Sequence, residues 1–241
     1  MATSWDFSGK TVLVTGVGRA GQIGHAVAQA FGVAGAKVVA VDRNAVGVAE
    51  RVKEFAARGI DARPAAGDLT EPDVAALAVE TALKHFGRLD AVVNVAGGLT
   101  TYGPVGHTGV EGFDREIAIN LKTAYLMSRA AVGPLSESRG AVVNFASVAY
   151  FRPQGQMAVY SAAKAGVAAL TQSLAAELWP AGVRVNAIAP GMVRTPENVA
   201  SAGAGAHYVE MDQVIAAVLF LAGEASSGVT GHILPVTNGA I

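Results

Sequence analysis

The chain has 241 residues, 51% of them hydrophobic and 15% charged, with no cysteine. That apolar fraction excludes a disordered or coiled-coil chain, and the missing cysteines exclude disulfides, thiol catalysis and thiolate-held metals. Its 18 basic and 19 acidic side chains are interspersed, so there is no electrostatic footprint for nucleic acid.

The N-terminal residues lead into an apolar strand without a basic stretch and a long apolar run, which predicts no signal peptide. No apolar run approaches the roughly 18 residues of a membrane span. The expectation is a cytoplasmic protein with no membrane partner. In chain order, short runs, most of them β-branched, predict strands at Thr11–Val14, Lys37–Val41, Ala62–Ala66, Ala91–Asn94, Ala141–Phe145, Val183–Ile188 and Ile233–Val236. Helical spacing between them predicts helices near Ile23–Ala34, Ala45–Arg58, Pro72–Phe86, Gly112–Ala131, Val159–Leu178 and Met211–Leu221. Non-alternating apolar strands alternating with helices predict a parallel sheet covered on both faces, in one α/β domain over residues 1–241. Asn198–His207, rich in Ala and Gly, predicts either a surface loop or a lid, because it follows a strand's carboxyl end.

The first strand runs into Thr15-Gly16-Val17-Gly18-Arg19-Ala20-Gly21-Gln22-Ile23-Gly24, and a helical pattern follows. Glycines there let the chain turn sharply and bring backbone amides close to a pyrophosphate at a helix N-terminus. Asp42 closes the second strand, near the offset at which an acidic residue accepts from an adenine-ribose hydroxyl; a turn or helix cap is the plainer reading. A carboxylate at that point repels the 2′-phosphate of NADP, whereas Arg19 or Arg43 could reach it. NAD(H) is favoured over NADP(H).

Tyr160 and Lys164 lie four residues apart in an Ala-rich helical segment, hence on one face. A nearby ammonium stabilises a phenolate and is expected to lower the tyrosine's pKa. Ser147 sits thirteen residues earlier, just past a strand's carboxyl end, where a serine is otherwise a cap or turn residue.

With these pieces the chain resembles the short-chain dehydrogenase/reductases over nearly its whole length. The landmarks run in order: Thr15-Gly16 with the glycine loop, Asp68-Leu69, Asn94-Val95-Ala96-Gly97, Asn120 in Ile-Asn-Leu, Ser147, Tyr160 with Lys164, Pro190-Gly191, and Thr230-Gly231. The resemblance implies a Rossmann-type, doubly wound fold with a seven-stranded sheet in the order 3-2-1-4-5-6-7. It implies a catalytic tetrad of Asn120, Ser147, Tyr160 and Lys164. Ser147 would orient a substrate carbonyl, Tyr160 would exchange a proton with it, Lys164 would hold the nicotinamide ribose, and Asn120 would anchor a water leading to Lys164. Cofactor contacts are implied for Gly16, Gly18, Gln22 and Ile23 in the loop and for Asp42, for Asp68 and Leu69 beside the adenine, and for Asn94, Ala96 and Gly97 along the cleft. Cofactor contacts are implied too for Tyr160 beside Lys164, for Pro190 and Gly191, and for Val193 and Thr195 after them, which would meet the carboxamide.

Two departures stand out. Gly16 to Gly24 is two residues longer than the family's usual glycine loop, which resembles the enoyl-thioester reductase branch. That branch spaces its tyrosine and lysine seven apart, and Met157 occupies that position here, so the pair implies an enzyme for a small-molecule secondary alcohol/ketone couple, 3-oxoacyl thioesters among them. An enoyl-thioester reductase and a non-enzymatic dinucleotide-binding sensor are the alternatives. Residues 196–210 also form a shortened substrate loop. The five histidines are scattered without metal-ligand spacing. Ala-rich helices at Gly112–Ala131 and Val159–Leu178 resemble those that form the family's dimer interface within tetramers, which suits the low charge content and implies a homo-oligomer, a dimer or tetramer.

Overall fold

In the computed structural model, which describes residues 5–239, seven strands form one sheet. They are β1 (Thr11–Thr15), β2 (Lys37–Asp42), β3 (Ala62–Ala66), β4 (Ala91–Asn94), β5 (Ala141–Phe145), β6 (Arg184–Pro190) and β7 (Ile233–Val236). All neighbours pair in parallel, in the order β3-β2-β1-β4-β5-β6-β7, as expected. The order reverses between β1 and β4, and open sheets of this kind bind ligands outside the strands' carboxyl ends at that point. Residues 1–4, part of the segment read for a signal peptide, lie outside the described residues. Among the described residues no helix is long and apolar enough to cross a membrane.

Successive side chains of a strand point to opposite sides of the sheet, and the five inner strands are buried on both. Val12, Val14, Val38 and Val93 pack with α1 (Ile23–Val33), α2 (Ala45–Ala57) and α8 (Met211–Ala222). Leu13, Val39, Val92 and Val142 pack on the other side with α3 (Pro72–Phe86), α5 (Thr123–Ser138) and α6 (Ala158–Leu178). Local chemistry sets the helix ends. The Asn44 side chain accepts from the Gly47 amide at the start of α2. Pro72 opens α3, and left-handed Gly87 (φ 76°) closes it.

Two expectations are corrected. The helix placed at Gly112–Ala131 is three pieces: α4 (Val110–Ile117), a π-turn at Ala118–Lys122, and α5. Pro134 does not stop α5, which runs on to Ser138 because Leu135 is fully buried and the Ser138 hydroxyl donates to the Leu89 carbonyl at 2.6 Å. The Asn198–His207 stretch is not wholly a loop. It opens inside a short helix, α7 (Pro196–Ala202), capped by Thr195, whose hydroxyl accepts from the Asn198 amide at 3.2 Å. Buried Tyr208 anchors the far side, its phenol donating to the Gly203 carbonyl at 2.7 Å.

Candidate active site

The glycine loop leaves β1 at the switch point. Gly16 takes a left-handed turn (φ 77°), and its amide donates to the Val41 carbonyl at 2.8 Å. A β-carbon on Gly24 would come within 2.2 Å of the Gly16 carbonyl oxygen, so only glycine lets α1 start this close under β1. Gln22 stands at the N-cap of α1 without a side-chain bond, Ile23 opens the helix, and its first turn carries no acidic residue. The first amides of α1 are therefore not taken by a side-chain cap, which fits a phosphate-bearing ligand.

Asp42 ends β2 against this loop. Its carboxylate accepts from the Gly18 amide at 2.8 Å and from the Asn44 amide at 2.9 Å. Gly18 is thereby drawn onto the carboxylate, and a β-carbon there would lie 2.7 Å from the Asp42 carboxyl carbon. His25 supports the loop from below, a role the sequence reading missed. Its Nδ1 accepts from the Gly21 amide at 3.0 Å, its ring stacks on Phe55, and its Nε2 lies 3.3 Å from a Glu54 oxygen. Burial holds its pKa below the usual histidine value.

Across the cleft, the Ala96 amide donates to the Thr15 hydroxyl at 2.9 Å, tying the segment after β4 to β1. Asn94 does not face the cleft with its side chain. The amide donates to Asn144 at 2.8 Å and Ser128 at 3.2 Å, and Asn144 in turn donates to Thr171 of α6 at 2.9 Å. That buried row clamps β4, β5 and α6 together. Leu69 likewise packs in the core beside α3, while Asp68 caps its own turn by accepting from the Thr70 amide, which lowers its pKa. Gly191 donates to the Val236 carbonyl at 2.9 Å after Pro190 ends β6, Val193 is buried and bridges to Val209, and Thr195 caps α7. Arg19 reaches from the glycine loop to Glu197 of α7 at 2.6 Å, so α7 leans over the loop.

The four residues of the implied tetrad come together at the carboxyl ends of β4 and β5. Ser147 follows β5 by two residues and caps a short 3-10 turn, its hydroxyl accepting from the Ala149 amide at 3.2 Å. Tyr160 and Lys164 project from the first turns of α6 on one face. Lys164 is buried, and its ammonium donates to the Phe145 carbonyl at 2.8 Å and lies 5.7 Å from the Tyr160 ring centre. Burial lowers its pKa to about 8, against an opposing pull from the Glu116 carboxylate. Asn120 sits in the π-turn. Its amide donates to the Gly98 carbonyl at 2.9 Å and the Glu116 carbonyl at 3.0 Å, while its carbonyl accepts from the Gly98 amide at 3.1 Å. Gly97 permits this approach, since a β-carbon there would lie 2.6 Å from the Asn120 oxygen.

The expected lowering of the Tyr160 pKa is corrected. Burial raises it, the Ser147 hydroxyl pulls it down, and Glu116 pushes it up further. Lys164 turns its ammonium to a backbone carbonyl, and a phenolate in this apolar slot loses more hydration than its neighbours restore. Glu116 itself was not singled out from the sequence. Its signal is the four-residue step to Asn120, which places a carboxylate on the same inward helix face.

The family model for short chain dehydrogenase matches residues 10–203. A (2S)-[(R)-hydroxy(phenyl)methyl]succinyl-CoA dehydrogenase subunit BbsD from Thauera aromatica is 35% identical, over 95% of this chain and 96% of its own. An L-fucose dehydrogenase from Mus musculus is 36% identical, over 100% of this chain and 91% of its own. Among solved structures, a 3-oxoacyl-[acyl-carrier protein] reductase with bound NAD from Brucella melitensis superposes with a TM-score of 0.87 at 31% identity, covering 97% of this chain and 92% of that one. With the glycine loop at the switch point and a serine, a tyrosine and a buried lysine at the end of β5, this chain belongs to the short-chain dehydrogenase family, as an NAD(P)-dependent oxidoreductase that interconverts an alcohol and a ketone.

Proposed function

We propose that Asn120, Ser147, Tyr160 and Lys164 are the catalytic set of an NAD(H)-dependent enzyme acting on a small secondary alcohol/ketone couple. The observation that carries this reading is the buried Lys164 on the same face of α6 as Tyr160, beside the Ser147 hydroxyl. A buried ammonium whose one hydrogen bond goes to a carbonyl keeps two donors for a ligand. The nicotinamide cofactor supplies or accepts the hydride when bound. Around it, the residues 16–24 loop and the start of α1 would hold the pyrophosphate, and Lys164 the ribose. Ser147 donates to the substrate oxygen and orients it. Tyr160, kept protonated by burial, gives its phenolic proton to that oxygen in reduction and takes it back in oxidation. Asn120 fixes the backbone at Gly98, which borders the cleft.

Asp42 supports NAD over NADP. Its oxygens already accept two amides, and a third acceptor position fits a ribose hydroxyl, whereas a phosphate brings like charge. The bound NAD of the Brucella melitensis relative agrees. Val110, Phe113 and Tyr125, exposed along α4 and α5, support assembly into a homo-oligomer through that face, which light scattering of the purified protein measures. Tyr160→Phe tests the catalytic reading. It is expected to retain NADH affinity and lose turnover by about 10²–10⁴-fold; turnover within threefold of wild type would overturn it.

A further inference from the structure

Glu116 lies on α4, is fully buried, and has no part in the tetrad. Its Oε2 accepts from the Thr100 amide at 3.0 Å and from the Thr100 hydroxyl, and its Oε1 accepts from the Asn120 side chain at 3.1 Å. Three donors converging on two oxygens is the pattern of a carboxylate, which only accepts. All three donors are neutral. A buried charge held by neutral dipoles alone is costly and is normally compensated by a charge of opposite sign nearby. The buried ammonium of Lys164, on the helix packed against α4, is in the mirror situation, bonded to the Phe145 carbonyl.

Among the described residues, the elements packed around Lys164 leave Glu116 as its one buried counter-charge. On α6 itself the ionisable neighbour is Tyr160, while Glu177 is exposed near the helix's far end. β5 brings no ionisable side chain, and β6 brings Arg184, which is tied to the Leu221 and Ser226 carbonyls at the strand's other end. Lys122 of the π-turn and Arg129 of α5 are exposed, as are Glu111, Asp114 and Arg115 of α4. The turn after β5 adds half-buried Tyr150.

We propose that Glu116 is a positioning residue of the reaction: a fixed buried carboxylate that keeps Lys164 an ammonium at neutral pH and, through Asn120 and Thr100, holds the Gly98–Thr100 wall of the cleft. The electrostatic half rests on the structure alone; its consequence for turnover rests on the catalytic reading of Tyr160 and Lys164. The attraction between Glu116 and Lys164 raises the lysine's pKa, and the repulsion between Glu116 and a Tyr160 phenolate raises the tyrosine's. Removing the charge lowers both.

The test is Glu116→Gln, read without cofactor by NMR titration of side-chain-labelled lysines. In the wild type the Lys164 midpoint is expected at about 8; in the variant it is expected to fall by about one pH unit. The base limb of ketone reduction and the acid limb of alcohol oxidation are expected to move to lower pH by a similar amount. Glu116→Asp keeps the charge and is expected to keep the midpoint near that of the wild type. Glu116→Met fills the volume without charge and carries the same expectation as Gln if the Gln variant does not fold. A midpoint unmoved in the uncharged variants, with kcat merely reduced, would make Glu116 a packing residue and overturn the proposal; so would failure of both to fold. Full turnover in Tyr160→Phe instead overturns the catalytic reading and leaves the NMR result standing on its own.

Discussion

The Lys164 ammonium donates to the carbonyl oxygen of Phe145, the last residue of β5, so one hydrogen bond of 2.8 Å fixes α6 to the strand that delivers Ser147. With its pKa lowered to about 8, Lys164 carries its proton below that pH and sheds it above. NADH affinity is therefore expected to be flat up to about pH 8 and to weaken above it, since binding must then recover the proton. Fluorescence titrations of NADH across that range check this, and Lys164→Met is expected to remove the pH dependence together with most of the affinity.

Asp42 and Gly18 form a second linked pair. Replacing Asp42 with alanine frees the Gly18 and Asn44 amides and removes the negative charge from the adenosine end of the cleft. NADH affinity is expected to drop about tenfold or more, while NADPH affinity holds or rises, from loss of a charge-assisted hydrogen bond on one side and of repulsion on the other. Side-by-side dissociation constants for the two cofactors decide it.

Gly24→Ala is expected to destabilise the protein by about 1–3 kcal/mol, because the new methyl would meet the Gly16 carbonyl and α1 must shift. Urea unfolding would show a lower midpoint with an unchanged slope. Cofactor affinity should fall with it, since the displaced turn is the loop itself.

His25 supplies a pH signature of its own. Its pKa is lowered by burial, so the unfolded chain binds a proton that the folded one resists, and stability is lost as pH falls below about 6.5. Protonation at Nδ1 also takes away the acceptor of the Gly21 amide. Stability measured at about pH 5.5 and about pH 7.5 should differ in the wild type and differ less in His25→Gln, which offers Gly21 an uncharged acceptor.

Much of this molecule was legible in its residues. A parallel strand buried on both faces leaves a short β-branched run, as in β1 and β2, and all seven expected runs became strands of one sheet, including edge strand β3, which has no β-branched residue. The Tyr160–Lys164 spacing and the glycine loop declared themselves because they depend on local sequence. What depends on burial did not. The direction of the Tyr160 pKa turns on desolvation, and the buried bonds of the Asn94 side chain turn on which sheet face it occupies. Glu116 reads as one more charged helix residue until the π-turn brings it, with Asn120, against α6.

That π-turn is a matter of phase. A helix advances about 100° per residue, so the additional residue in Ala118–Lys122 rotates everything after it by that amount relative to everything before. Upstream, Glu116 is buried against Thr100 and Asn120; downstream, Leu126, Met127 and Leu135 look toward α3 and the sheet. Deleting a single residue there would bring the two halves into ordinary helical step, and the chain could then bury its apolar seam or aim its polar pair, but not both.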